Sequence, residues 1–62
     1  MTAAPELSSV ATALSELTTR VAELAESLST EARDDIATAL YEVERSLGAA
    51  ARRLESMVDE LR

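Results

Sequence analysis

The chain has 62 residues and a formal net charge of −6, from 12 acidic and 6 basic side chains. It contains no cysteine and no histidine, which excludes disulfides, thiolate chemistry and conventional zinc, haem or iron–sulfur sites. A single aromatic residue and a net negative charge disfavour a nucleic-acid-binding surface.

No apolar run approaches the roughly 20 residues of a membrane span. Residues 1–5 lack the basic and apolar regions of a signal peptide, so we expect a cytoplasmic protein. The arginine- and alanine-rich composition suggests a bacterial source.

A chain this short has difficulty in stabilising a fold alone. A 60-residue domain buries only roughly 60% of its unfolded surface. Below about 70 to 80 residues, disulfides, metals or oligomerisation usually supply the missing stability. Because disulfides are excluded and the metal ligands are limited to carboxylates, we expect self-association or folding on a partner.

Apolar residues recur at alternating spacings of three and four in two segments, 7–28 and 36–61. This heptad pattern is typical of helices that pack at shallow angles. The predicted oligomer core consists of these positions: Leu7, Val10, Leu14, Leu17, Val21, Leu24, Leu28, Ile36, Leu40, Val43, Leu47, Ala50, Leu54, Met57 and Leu61.

The heptad frame breaks between Leu28 and Ile36. A continuous helix through the break would rotate the apolar stripe by roughly 160°, nearly to the opposite face of the helix. A turn between two helices avoids this rotation. Ser29 is a favourable N-cap residue, and the acidic residues of 31–35 suit the start of a second helix.

These features predict an all-α helical hairpin as a single domain over 1–62. Helix 1 is expected at about 5–28, a turn at about 29–30 and helix 2 at about 31–61. The alternative is a single long helix in a coiled coil. The positions beside this seam of heptad residues are mostly small or apolar: Ala11, Ala13, Thr18, Arg20, Ala25 and Ser27 in helix 1, and Ala37, Ala39, Glu44, Ser46, Ala51, Arg53, Val58 and Glu60 in helix 2. Such a wide stripe lets each helix contact two neighbours, so we expect two hairpins to form a four-helix bundle.

Leu28, Asp35, Ile36, Leu40 and Leu47, around an acidic turn without glycine, resemble the central part of the plasmid-encoded Rop family. The resemblance implies a helical hairpin that dimerises into a four-helix bundle. That family binds paired RNA loops through the outer face of its first helix. Here the same face is made of hydroxyl and acidic residues, so the RNA-binding residues do not carry over and the resemblance concerns architecture alone.

Five residues are candidate contacts for a partner. Tyr41 is the lone aromatic residue and lies just outside the seam. Gly48 lies in a patch of small residues within helix 2. With a turn at 29–30, Met57, Val58 and Leu61 extend past the start of helix 1, where either the dimer mate or a different protein would cover them.

No catalytic, cofactor or metal site is expected. A Ser or Thr nucleophile would have no His or Lys to activate it, and the acidic polar face does not suit a membrane surface. We therefore expect a small non-enzymatic protein–protein interaction module, an adaptor, regulator or small subunit, that acts as a homodimer. Its acidity would favour a basic protein surface as a further partner.

Two alternative functions stay open. A Rop-like nucleic-acid-binding regulator would need a basic face, which Arg45, Arg52 and Arg53 could supply. An obligate small subunit of a larger enzyme is the other alternative. Leu40-Tyr41-Glu42 resembles a short motif of exonuclease VII small subunits, which are also acidic helical hairpins, although the glycine-containing loop of that family is missing.

Overall fold

The computed structural model describes residues 3–61, which form two α-helices and no strand. Helix α1 spans Ala3–Thr30 and helix α2 spans Asp34–Leu61, with 28 residues each. They pack side by side in opposite directions as a slender hairpin with Cα extents of 49 × 13 × 10 Å. The predicted all-helical hairpin is confirmed. The alternative of a single long helix is wrong, because the chain reverses between residues 30 and 34.

The reversal is a helix C-cap without glycine. Ala32 adopts a left-handed conformation with φ of 62°. The backbone N–H of Arg33 donates to the carbonyl of Leu28 at 2.8 Å, and the N–H of Ala32 donates to the carbonyl of Ser29 at 3.2 Å. These two bonds make a Schellman motif, which satisfies carbonyls at the end of α1. The turn therefore lies at 31–33, and the predicted position at 29–30 is corrected.

The start of α2 also differs from the prediction. The backbone N–H of Ala37 donates to the carbonyl of Arg33 at 2.9 Å, which makes Arg33 the N-cap residue. The prediction that Ser29 caps α2 is wrong, because Ser29 belongs to the last turn of α1. Its hydroxyl instead reaches across the turn to Asp34 Oδ1 at 3.5 Å. Asp34 and Asp35 occupy the first turn of α2, where negative charge is favoured by the helix dipole.

The equal helix lengths remove the overhang expected at the C-terminal end. Helix α1 begins at Ala3 rather than residue 5, and the turn is centred on Ala32 rather than 29–30. As a result Val58 lies beside α1 and is only 4% exposed. The expectation that Met57, Val58 and Leu61 extend past helix 1 is therefore wrong.

Small residues form the centre of the contact between the helices. The buried hydrophobic side chains are Ala11, Ala25, Ala37, Ala51 and Val58. The leucine and valine positions of the predicted seam that lie next to them are half-buried: Leu7, Leu14, Val21, Leu28, Leu40, Leu47 and Leu54. Alanine at the contact lets two helices approach closely. The heptad pattern thus predicted the apolar stripe of each helix. The most buried residues, however, are the alanines beside the predicted core positions and not the core positions themselves.

Within the described residues, neither helix contains a segment that is both long and apolar enough to cross a bilayer.

Candidate functional site: an exposed apolar face

Half of the predicted core is exposed on the hairpin. In α1 the exposed fractions of Val10, Leu17 and Leu24 are 53%, 47% and 57%. In α2 those of Ile36, Val43 and Met57 are 41%, 45% and 45%, and Ala50 in the same column is also exposed. We call these six large side chains the apolar face. Large apolar side chains that are exposed together in this way mark interaction sites.

Helical geometry places both exposed columns on the same side of the hairpin. We call a line of residues spaced by seven along one helix a column. In α1 the column of Leu17 lies about 100° around the helix axis from the buried column of Ala11. In α2 the column of Val43 is rotated by a similar angle, in the same sense along the chain, from that of Ala37. Because the helices run in opposite directions, the two rotations converge on one side. The half-buried leucines lie between the two columns, so the surface is continuous.

The seam positions of the two helices fall into shared levels along the hairpin. Each seam residue of α1 is separated from Ala32 by the same number of residues as one seam residue of α2. Because the rise per residue is constant, the two residues lie at about the same height along the hairpin. The resulting pairs are Leu7–Met57, Val10–Leu54, Leu14–Ala50, Leu17–Leu47, Val21–Val43, Leu24–Leu40 and Leu28–Ile36.

The five candidate partner contacts do not form one patch. Met57 belongs to the apolar face, and Leu61 is 48% exposed at the open end of the hairpin. Tyr41 is 45% exposed but lies on the opposite side, next to the column of Ala37. Val58 is buried between the helices, so the hairpin does not present it to a partner.

Gly48 is half-buried and shows no close approach within the hairpin. A Cβ atom at this position would meet only Arg52 Nη1, at 3.5 Å, which is ordinary van der Waals distance. The fold of the single chain therefore does not require a glycine here.

A shallow groove of about 230 Å³ lies on the side of the hairpin away from the apolar face. Its lining is Ser8, Ala11, Thr12, Glu55, Val58 and Asp59. Among the described residues no group of three or more acidic side chains is arranged to hold a metal ion.

The charged side chains are spread over the surface. Arg33 Nε lies 3.6 Å from Asp35 Oδ1, and both side chains are exposed, so this pair contributes little to stability. Arg45 and Arg52 share one column of α2, whereas Arg53 borders the apolar face about 100° away. The three arginines considered for a nucleic-acid surface are thus divided between two sides of the helix.

The heptad pattern includes the residues of the apolar face. It does not distinguish them from the heptad residues that lie at the contact between the two helices of one chain. The signal that separates them is the alanine column: Ala11 and Ala25 recur at a multiple of seven, as do Ala37 and Ala51. This regular placement of small residues marks the side on which the two helices of one chain meet.

Comparison with known proteins finds no family model that matches the chain, and no curated protein or solved structure significantly similar to it.

Proposed function

We propose that this protein is a small non-enzymatic protein–protein interaction module that acts as a homodimeric four-helix bundle. The observation that carries the proposal is the apolar face. Residues from both helices expose it on one side of the hairpin, and their heptad spacing suits packing against further helices. An adaptor, a regulator and a small subunit are all compatible with this architecture.

The accessible surface of the hairpin supports the need for a partner. The chain exposes 4631 Å², whereas a compact monomer of 6.6 kDa is expected to expose about 3,900 Å². The excess of about 700 Å² is close to the roughly 800 Å² that each partner buries in a standard protein–protein interface. Covering the apolar face would bring the exposed area into the range of stable small proteins.

The interior of the hairpin supports the same conclusion. Among residues 3–61, four of the five buried hydrophobic residues are alanines, and no large side chain is fully buried. Burial of an alanine removes little apolar area from water compared with a leucine. The leucines become fully buried only when a second layer of helices covers them, so association supplies most of the core.

A second copy of the chain is the partner best suited to this face. The heptad frame continues from end to end in both helices, so the whole length of the hairpin is available for packing. Two-fold pairing of identical surfaces is the commonest closed solution for small proteins. An obligate subunit of a larger protein would use the same face for a different chain.

Sedimentation equilibrium of the purified protein tests the proposal, with helicity measured by circular dichroism over the same concentrations. We expect a highly helical dimer that loses helix on dilution. A poorly helical monomer at every concentration would contradict homodimerisation. A gel shift with structured RNA at low salt tests the alternative of nucleic-acid binding, for which we expect no complex.

A further inference from the structure

We infer that the groove on the side of the hairpin away from the apolar face binds an arginine side chain of a partner protein. The groove has a volume of about 230 Å³ and lies between α1 and α2, towards the open end of the hairpin. Its lining comes from one chain, so the inference goes beyond the proposed homodimer and does not depend on it. It names the type of residue that a partner would present to the hairpin.

The two walls of the groove carry hydrogen-bond acceptors of different kinds. Ser8 and Thr12 lie one helical turn apart on α1, and Glu55 and Asp59 lie one turn apart on α2. One wall therefore offers hydroxyl oxygens and the other offers carboxylates. A cationic group between the walls would meet acceptors on both sides, whereas an anion would be repelled by the α2 wall.

The floor of the groove is apolar. It is formed by Ala11 and Val58, each of which is only 4% exposed. An arginine side chain has a methylene stem that packs on apolar surface while its charged end stays near water. Hard metal ions prefer a shell made of oxygen ligands alone. The combination of an apolar floor with polar walls therefore fits an amphipathic organic cation better than a metal ion.

Glu55 is available to such a cation. Within residues 3–61 its carboxylate takes part in no ion pair and no hydrogen bond. Arg52 lies one turn earlier on α2, but its Nη1 atom lies 3.5 Å from the position of a Cβ atom added at Gly48. The Arg52 guanidinium therefore leans towards Gly48, and Arg52 does not line the groove. Asp59 already takes part in another interaction, so the inference rests on Glu55.

The hydroxyl groups of the opposite wall are also available. Further along α1, the Thr18 hydroxyl donates to the Leu14 carbonyl of its own helix at 2.8 Å. In the part of the chain that the structure describes, the hydroxyls of Ser8 and Thr12 make no bond of this kind. Their oxygen atoms can therefore accept hydrogen bonds from a group in the groove.

A guanidinium group suits this arrangement better than an ammonium group. Its N–H donors point outwards in one plane, so it can donate to Glu55 on one wall and to hydroxyl oxygens on the other. Arginine is also enriched at protein–protein interfaces, and a net charge of −6 attracts basic surfaces to this chain. The groove is smaller than the roughly 300 to 1,000 Å³ of small-molecule pockets, which favours a single side chain of a partner over a free ligand.

Titration of isotope-labelled protein with N-acetyl-arginine amide at low salt, followed by the NMR signals of the backbone amides, tests the inference. We expect the amide signals of Ser8, Thr12 and Val58 to shift together and to saturate at millimolar concentrations. Glu55→Gln should weaken binding by about tenfold, because it removes a charge-assisted hydrogen bond. Glu42→Gln is the matched control. It removes the same charge from an exposed position of α2, about 20 Å away along the helix, and should change the affinity by less than about twofold.

Circular dichroism of both variants checks that the hairpin is retained, and N-acetyl-lysine amide tests the choice of cation. Weaker binding of the lysine compound, together with a selective loss in Glu55→Gln, supports the inference. Equal weakening by the two glutamine variants would show a general attraction to an acidic chain and overturn the site. Equal binding of the lysine compound would overturn the preference for a guanidinium. The absence of saturable shifts up to on the order of 100 mM would contradict binding in the groove altogether.

Discussion

Arg33 and Leu28 close the end of α1 through a 2.8 Å hydrogen bond between the Arg33 backbone N–H and the Leu28 carbonyl. The bond spans Ala32, whose φ of 62° is a conformation that favours glycine over residues with a Cβ atom. This hydrogen bond closes the turn at which the chain reverses. The turn depends on Ala32, whose Cβ atom makes the left-handed conformation unfavourable.

Ala32→Gly should therefore stabilise the protein, since it removes the left-handed penalty of roughly 1 kcal/mol or more. Chemical denaturation at a fixed protein concentration measures the change in the free energy of unfolding. Ala13→Gly is the matched control, because Ala13 is exposed within α1. There the same substitution should destabilise by about 1 kcal/mol. A loss of stability from Ala32→Gly equal to that of the control would contradict the left-handed turn.

Leu17→Asp should abolish the proposed dimerisation, because it places a charge on the apolar face that association would bury without a partner. We expect a shift to monomer in sedimentation equilibrium and a loss of helicity. Thr19→Asp is the control on the opposite, exposed surface, and its effect should stay within about 0.5 kcal/mol. If Leu17→Asp leaves the dimer intact, a different surface mediates the association.

Ala25→Leu should destabilise the hairpin, because Ala25 has 0% exposure and the larger side chain would force the two helices apart. Overpacking of this kind costs about 1 to 3 kcal/mol. Ala49→Leu makes the same chemical change at an exposed position of α2 and should alter stability by less than about 0.5 kcal/mol. Thermal unfolding of the two variants, followed by circular dichroism, compares them directly. Equal effects would show that Ala25 is not at the helix contact.

Gly48→Ala should stabilise α2 by about 1 kcal/mol, which is the difference in helix propensity between the two residues. The added methyl group would meet only Arg52 Nη1 at 3.5 Å, so nothing in the hairpin opposes it. The unfolding free energy of the variant checks this expectation. A loss of stability or of dimerisation would instead show that another chain approaches Gly48 closely in the assembly.

Local periodicity was sufficient to predict two helices and their apolar stripe, because the spacing of Leu14, Leu17 and Val21 reports the helical repeat directly. It did not predict the turn position. Ser29 has the chemistry of an N-cap, yet it lies inside α1, since the backbone closes three residues later at Ala32. A left-handed residue at the end of a helix is usually predicted from a glycine. Because alanine occupies this position, the sequence pattern does not indicate the turn there.

The sequence by itself determined the number of helices, the lack of cysteine and histidine side chains, and the expectation that the chain needs a partner. Only the tertiary structure decided which apolar residues belong to the hairpin and which face outward. Leu14 and Leu17 occupy the two apolar positions of the heptad, and the pattern alone does not say which of them is buried, but Leu14 is half-buried and Leu17 is 47% exposed. The physical reason is the turn: its position fixes how the two helices face each other, with the alanines inward and the apolar face exposed.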